Sequence, residues 1–405
     1  VVNVLGNFGI SGGILNMTSG ENNLFLICYN DFSLSGGEMK STGIGAGNLR
    51  LGPMIGTGYS GNFTHSAGVF SPTDVQIREN YTMTLTTNLD LSSTSLTVNG
   101  EILFGEFDVI GSMMLTVGDT GQLLLSSNLN LDQSPIMING ILDAGIYSIS
   151  GDSTFTINST GILRTGNALG LDGTILMNDV LTLSSAADYE FNGTEAQVTG
   201  SLLPTEITDG LFINNNLGVT LSDSTMISGG NAGLILRSGT LFTDTDNLLV
   251  FANNGSWDEA GDSSFISGPV AKLSDSVEGF LFPVGKGTLY APMLIASETT
   301  DETIFKAEYF ENSYQGFYNT DASLESVSSV EHWILERLSG TANAKVRLYW
   351  GEHSFETLPD SLVVAHLNGT TWINEGQSEI DLINKWITSE VISEFSPFTL
   401  GSALM

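Results

Sequence analysis

The chain has 405 residues, enough for a large core and, at ordinary domain size, for two or three units. Charged residues are 14% and glycines number 47, a profile of turn-rich β-structure, while abundant Leu, Ile and Val exclude disorder and the aperiodic Gly excludes a collagen helix. Lys plus Arg total 12 against 45 Asp plus Glu, and a formal charge of -33 repels phosphate backbones and anionic lipid heads, which argues against nucleic acid as a partner.

The chain opens as strand at Val1-Val2-Asn-Val-Leu with no polar cap, no basic leader and no Met. Either a signal has been removed or the chain is a piece of something longer, and its start is expected to continue into a longer chain or to dock on another subunit. Asn7-Phe-Gly-Ile-Ser-Gly-Gly is echoed 24 residues later by Asp31-Phe-Ser-Leu-Ser-Gly-Gly, and Asn62-Phe-Thr-His-Ser-Ala-Gly-Val-Phe reads as a degraded third copy. The Gly-rich stretch from Gly43 to Gly61 reads as a longer loop between them. Cys28 is the only cysteine, so no intrachain disulfide forms, and its setting in Leu24-Phe-Leu-Ile-Cys-Tyr makes it a buried structural thiol rather than a nucleophile. No run of 18 apolar residues occurs, so no membrane insertion is expected.

From Ser95 to Ser184 an apolar, strand-like segment recurs with no helical pattern between copies, led by Leu96, Leu115, Ile136, Phe155 and Ile175 at spacings of 19, 21, 19 and 20. That spacing is too short for a strand-helix-strand unit and suits one coil of a β-solenoid. Alternation such as Leu96 and Val98 against Thr97 and Asn99 points every second side chain inward, and Asn-Gly, Gly-Asp or Asn-Ser supplies the turn. The unit persists more loosely to about residue 270, for about a dozen coils and a length of roughly 55 to 60 Å at the spacing of stacked strands. From Phe280 the strands lengthen, and four of the five Trp and three of the four His lie after residue 330. The fold class read from the sequence is all-β, a parallel, right-handed β-solenoid over 1–273 followed by an antiparallel β-sandwich over 274–405.

Several groupings are candidates for chemistry. Polysaccharide lyases on β-solenoids need basic residues beside clustered carboxylates, and before Lys272 the solenoid has only Lys40, Arg50, Arg78, Arg164 and Arg237. A hydrolase needs only two carboxylates, which Asp188 with Glu190 or Glu206 with Asp209 could supply, against the reading that they are solvated corner acids. Asp244 and Asp246, on one side of a corner, are a candidate Ca²⁺ pair, against exposed turn acids; no other cofactor is expected. His65, His332, His353 and His366 are too scattered for zinc. Gly9-Ile-Ser-Gly-Gly matches the nucleophile elbow in letters but lacks the helix that motif requires. Trp333, Trp350 and Trp372 are candidate carbohydrate-stacking residues, weighed against burial in the sandwich core.

Asp188-Tyr-Glu-Phe-Asn-Gly-Thr-Glu-Ala-Gln-Val-Thr-Gly, Ser264-Phe-Ile-Ser-Gly-Pro-Val-Ala-Lys, Phe282-Pro-Val-Gly-Lys-Gly-Thr-Leu-Tyr-Ala-Pro and Phe395-Ser-Pro-Phe-Thr-Leu-Gly-Ser occur in that order. The order resembles large secreted or surface β-solenoid proteins of the Bacteroidota, many exported by the type IX secretion system. The resemblance implies a secreted or cell-surface location and a fold, but no reaction. It also implies a sorting domain after the sandwich, either cleaved or beyond Met405. Asp275-Ser-Val and Asp360-Ser-Leu resemble the short O-glycosylation motif of that phylum. The leading expectation is a non-enzymatic structural or adhesive rod, its partners other copies, neighbouring surface proteins or glycans. The competing expectation is a carbohydrate-binding or polysaccharide-degrading β-helix.

Overall fold

Alternating side chains leave a single coil with one apolar face that it cannot cover, and in-register stacking of the next coil covers it. The computed structural model describes residues 1–405 except 231, 232, 317, 355–360 and 405, so the Asp360-Ser-Leu motif begins outside the described residues. The fold is all-β, a parallel β-solenoid of about 12 turns with antiparallel sheets later in the chain. By contact density the chain forms two units, Val1–Pro204 and Thr205–Met405.

In the first unit each coil passes through two long sheets, and from Leu89 onward a short third face is added. The first sheet has nine strands, from Val2–Val4 to Leu181–Leu183, and the second has nine in this unit, from Phe8–Asn16 to Asp188–Phe191. The third face carries short strands such as Leu129–Asn130, Ile149–Gly151 and Ile175–Met177. Ile77, Val98, Val117, Ile138 and Ile157 pair in succession on the first sheet and are all 0% exposed. Met83, Ile102, Leu123, Leu142 and Leu163 form the matching column on the second sheet. Each such side chain contributes about 1.5–3 kcal/mol relative to exposure, against the entropy of ordering its coil.

The amino-terminal echo is a physical register. Phe8 pairs with Phe32 and Phe32 with Phe63, with ring centroids 5.9 and 5.2 Å apart. Asp31 joins the three copies by accepting hydrogen bonds from Asn7 Nδ2 at 2.9 Å and the Asn62 backbone N–H at 2.8 Å.

Two local expectations are corrected. Gly43 to Gly61 is not one loop, because Gly47–Leu51 is a strand paired parallel with Leu24–Cys28; it separates residues 43–46 from a loop at 52–58 that precedes strand Tyr59–Ser71. Nor does Ile175 lead the fifth copy. Phe155 pairs with Leu181, while Ile175 pairs with Ile149 on the third face. A single helical turn, Leu171–Thr174, lengthens this coil and carries an apolar residue to the place where the next copy was expected.

The second unit begins with coils of the same three-faced kind. Leu211 pairs with Leu234, Val219 with Leu241 and Thr225 with Leu249, all parallel. Strand Val270–Ser274 then pairs parallel with Leu249–Phe251 on one edge and antiparallel with Thr303–Phe310 on the other. From there the sheet continues through His332–Ser339, Pro397–Ala403, Leu362–Asn368 and Thr371–Asn374, all antiparallel. A five-stranded antiparallel sheet runs in the order Phe280–Phe282, Met293–Ser297, Ala344–Tyr349, Trp386–Thr388 and Glu379–Asp381. Beside the parallel-to-antiparallel switch, Lys272 Nζ donates to the carbonyls of Ala252 at 2.6 Å, Asn253 at 2.8 Å and Gly255 at 3.1 Å. This buried ammonium satisfies carbonyls that a following coil would otherwise meet.

Candidate functional site

The corners joining the first sheet to the second stack into a column whose lengths explain the sequence spacing. Asn99-Gly100 and Asn139-Gly140 are two-residue corners, while Gly118-Asp119-Thr120-Gly121 and Asn158-Ser159-Thr160-Gly161 have four. Alternation between the two lengths produces the 19- and 21-residue steps. In each longer corner a Thr hydroxyl donates to the coil beneath, Thr120 to Asn99 O at 2.9 Å and Thr160 to Asn139 O at 2.8 Å. Earlier corners follow neither pattern: 5–7, 29–31 and 78–80 have three residues and 52–58 has seven, and Arg78-Glu79-Asn80 turns through Asn80 at φ 62°.

A groove lies at this irregular corner. Ser60, Thr82, Glu101 and Gln122 occupy the same outward position of four successive coils and form its floor. Successive rungs of such a ladder are about 4.8 Å apart. Thr82 Oγ1 donates to Glu101 Oε2 at 2.6 Å, which fixes one carboxylate oxygen in the floor. Glu79, Asn80 and Asn99 line both this cavity, of about 560 Å³, and a neighbouring one of about 460 Å³ beneath loop 52–58. Both volumes fall in the range of small-ligand sites.

Tyr59 stands at the mouth of the groove, 38% exposed, with its ring edge-on to Tyr29 at 6.5 Å. Gly56, at φ 115°, lets the loop turn tightly here, since a Cβ on it would sit 2.7 Å from the Tyr59 ring. Tyr81 lies behind the floor, buried, and donates its hydroxyl to Asn30 O at 2.8 Å; burial pushes its phenol well above the ordinary range. Arg78 lines the neighbouring cavity, and its Nη1 is buried with no hydrogen-bond partner among the described residues. Burial, and then the nearby Arg50 charge, lower its pKa. The groove offers amide donors, carboxylate acceptors and one exposed ring, and the neighbouring cavity adds the Arg78 guanidinium.

The residues singled out from the sequence lie elsewhere. Trp333 is 0% exposed and donates Nε1–H to Ala291 O at 2.8 Å; Trp350 and Trp372 are 9% and 5% exposed. Their faces are packed against protein, which is the core placement weighed against a sugar platform. Asp244 Oδ1 accepts the backbone N–H groups of Asp246 and Asn247, both at 2.8 Å, and Oδ2 accepts Asn247 Nδ2 at 3.2 Å. Those bonds hold its carboxyl below the usual range, and its oxygens are engaged by its own turn rather than turned jointly with exposed Asp246. Glu190 is buried and paired with Arg164 Nε at 3.0 Å, while Glu206 accepts the Ser228 hydroxyl at 2.7 Å.

The four His sit in four separate settings. His65 Nε2 lies 3.3 Å from Gly68 O, His332 donates Nδ1–H to Asn312 O, His353 pairs with Glu331, and His366 pairs with Glu375. No group of three or more His, Cys, Asp or Glu suited to a metal occurs among the described residues. Ser11 lies mid-strand in Phe8–Asn16, with no helix after it. Cys28 is buried, its Sγ 3.2 Å from Asp31 O, and burial pushes the thiol up. Among the described residues no helix is long and apolar enough to cross a membrane.

Reading by motif passed over the groove because Tyr59, Glu79, Glu101 and Gln122 belong to four different coils. The available signal was the corner itself, where Arg-Glu-Asn brings two charged side chains into a column of corners otherwise built of residues such as Gly, Asn, Asp, Ser and Thr. In comparisons with known proteins, no family model matches the chain, and no curated protein and no solved structure matches it either.

Proposed function

We propose that this chain is a non-enzymatic structural or adhesive segment of a secreted or cell-surface protein, of the kind that the Bacteroidota export by type IX secretion. The observation that supports the reading is the parallel stacking of the first unit, in register apart from bulges among strands Phe8–Asn16, Phe32–Lys40 and Tyr59–Ser71. Nine strands of each long sheet stack on buried apolar columns, and such a stack bears load along its axis through many hydrogen bonds at once. Its partners are other copies or neighbouring surface proteins.

The test uses antibody labelling and protease shaving of intact cells of the source organism, with adhesion measured after deletion of the gene. Surface labelling and lost adhesion are expected. Confinement to the cytosolic fraction, or turnover of a polysaccharide by the purified chain, would refute the reading.

A second reading, a carbohydrate-binding β-helix, is favoured by one specific feature. The groove beside Tyr59 combines an exposed ring with a line of amides and carboxylates, the complement that sugar hydroxyls and a pyranose face require.

A further inference from the structure

We infer that the groove at the Arg78-Glu79-Asn80 corner binds a short neutral oligosaccharide, a site that rests on the carbohydrate-binding reading and gives it residues and a ligand class. The floor is a ladder of outward polar side chains, and Glu101 and Gln122 provide an acceptor and an amide at adjacent rungs. Rungs about 4.8 Å apart are close to the length of one sugar residue, so a glycan lying across the coils meets a new polar group at each ring.

Each sugar hydroxyl both donates and accepts, and recognising one requires both kinds of partner. Glu79 and Glu101 supply acceptors, while Asn80, Asn99 and Gln122 supply donors and acceptors together. Tyr59, held edge-on by Tyr29, presents a ring at the mouth for the apolar face of a pyranose. Exposed Met54 and Ile55, on the loop over the neighbouring cavity, extend the apolar rim.

The charge selects a neutral glycan over an acidic one. Two carboxylates line the groove of a chain with a net charge of -33, and a polyuronate would approach against that field. The Arg78 guanidinium lines the neighbouring cavity rather than the floor of the ladder, and the nearby Arg50 is paired with Asp74 at 2.8 Å.

The test is calorimetric titration of the full chain with cellotetraose, xylotetraose, mannotetraose and chitotetraose, with tetragalacturonate as the acidic arm. Saturable binding to at least one neutral tetrasaccharide is expected. Tyr59→Ala and, separately, the double variant Glu79→Gln with Glu101→Gln are each expected to weaken it about tenfold or more. The double variant keeps side-chain shape, so it decides the matter if Tyr59→Ala disturbs the loop, and unchanged circular dichroism melting certifies the fold. Binding that survives both variants would overturn the groove while leaving a carbohydrate-binding chain. Binding to tetragalacturonate alone would overturn the neutral assignment, with Arg78 as the anchor. No saturable binding to any saccharide would overturn both the site and the reading beneath it.

Discussion

Gly161 closes a four-residue corner between its own coil's Ile157 and the preceding coil's Ile138, and replacing it with Ala tests whether close packing rather than turn propensity demands the glycine. An added Cβ would lie 2.5 Å from Ile157 Cγ1 and 2.9 Å from Ile138 O, the first about 0.9 Å short of the 3.4 Å where ordinary contact begins. Neither neighbour yields easily. Ile157 is 0% exposed in the core column, and Ile138 O already accepts the Asn158 N–H at 2.9 Å. The corner must therefore lift, straining the bond in which Asp188 N–H donates to Gly161 O at 3.0 Å. Overpacking costs about 1–3 kcal/mol and a weakened backbone bond about 1 kcal/mol, so Gly161→Ala is expected to destabilise by about 2–4 kcal/mol.

The control is Gly12→Ala. Gly12 has a negative φ, and an added Cβ there would meet nothing within 4 Å, so the change is expected to stay within about 0.5 kcal/mol. Urea unfolding followed by circular dichroism, with hydrogen exchange read at coils 136–191, measures both variants. Equal effects of the two, or unaltered exchange around Gly161 in Gly161→Ala, would refute the packing argument.

Trp333→Phe removes an N–H donor from the buried Ala291 carbonyl and leaves a gap beside Tyr309, so the sandwich is expected to lose about 1–3 kcal/mol, read from its thermal transition; an unchanged transition would count against Trp333 as a core anchor. Burial pushes Lys272 from an ordinary 10.5 down to about 8. Between those values the unfolded chain holds a proton that the folded chain has released, so the stability linked to this group rises with pH across that window and is flat below about 8. Wild-type stability minus that of Lys272→Met is accordingly expected to rise from pH 7 to pH 10, and a constant or falling value would contradict the desolvation account. Cys28, buried and with its thiol pushed up, is expected to resist a disulfide reagent in native buffer and to react at the rate of unfolding in denaturant; rapid native labelling would show the first coils opening.

The amino-acid sequence determined the coil. Alternation of Leu96 and Val98 against Thr97 and Asn99 is a local property with a period of two residues, and turn residues such as Asn139-Gly140 announce their corner wherever the chain goes. Even the uneven 19- and 21-residue spacing was legible, since it follows from corner length alone.

Register was not local. Ile175 and Leu181 are both apolar heads of short strands, and only the one-turn helix at Leu171–Thr174 decides which of them lies on Phe155. The strand Gly47–Leu51 was hidden in the same way, because its ladder bonds come from Leu24–Cys28 and not from its own Gly-rich composition. Alternation placed Trp333 and Trp372 in strands without saying which face the sandwich would cover. The groove was the least legible feature of all. Tyr59, Glu79, Glu101 and Gln122 are ordinary surface residues until stacking brings four coils to one line, and adjacency between coils is a property of the folded chain alone.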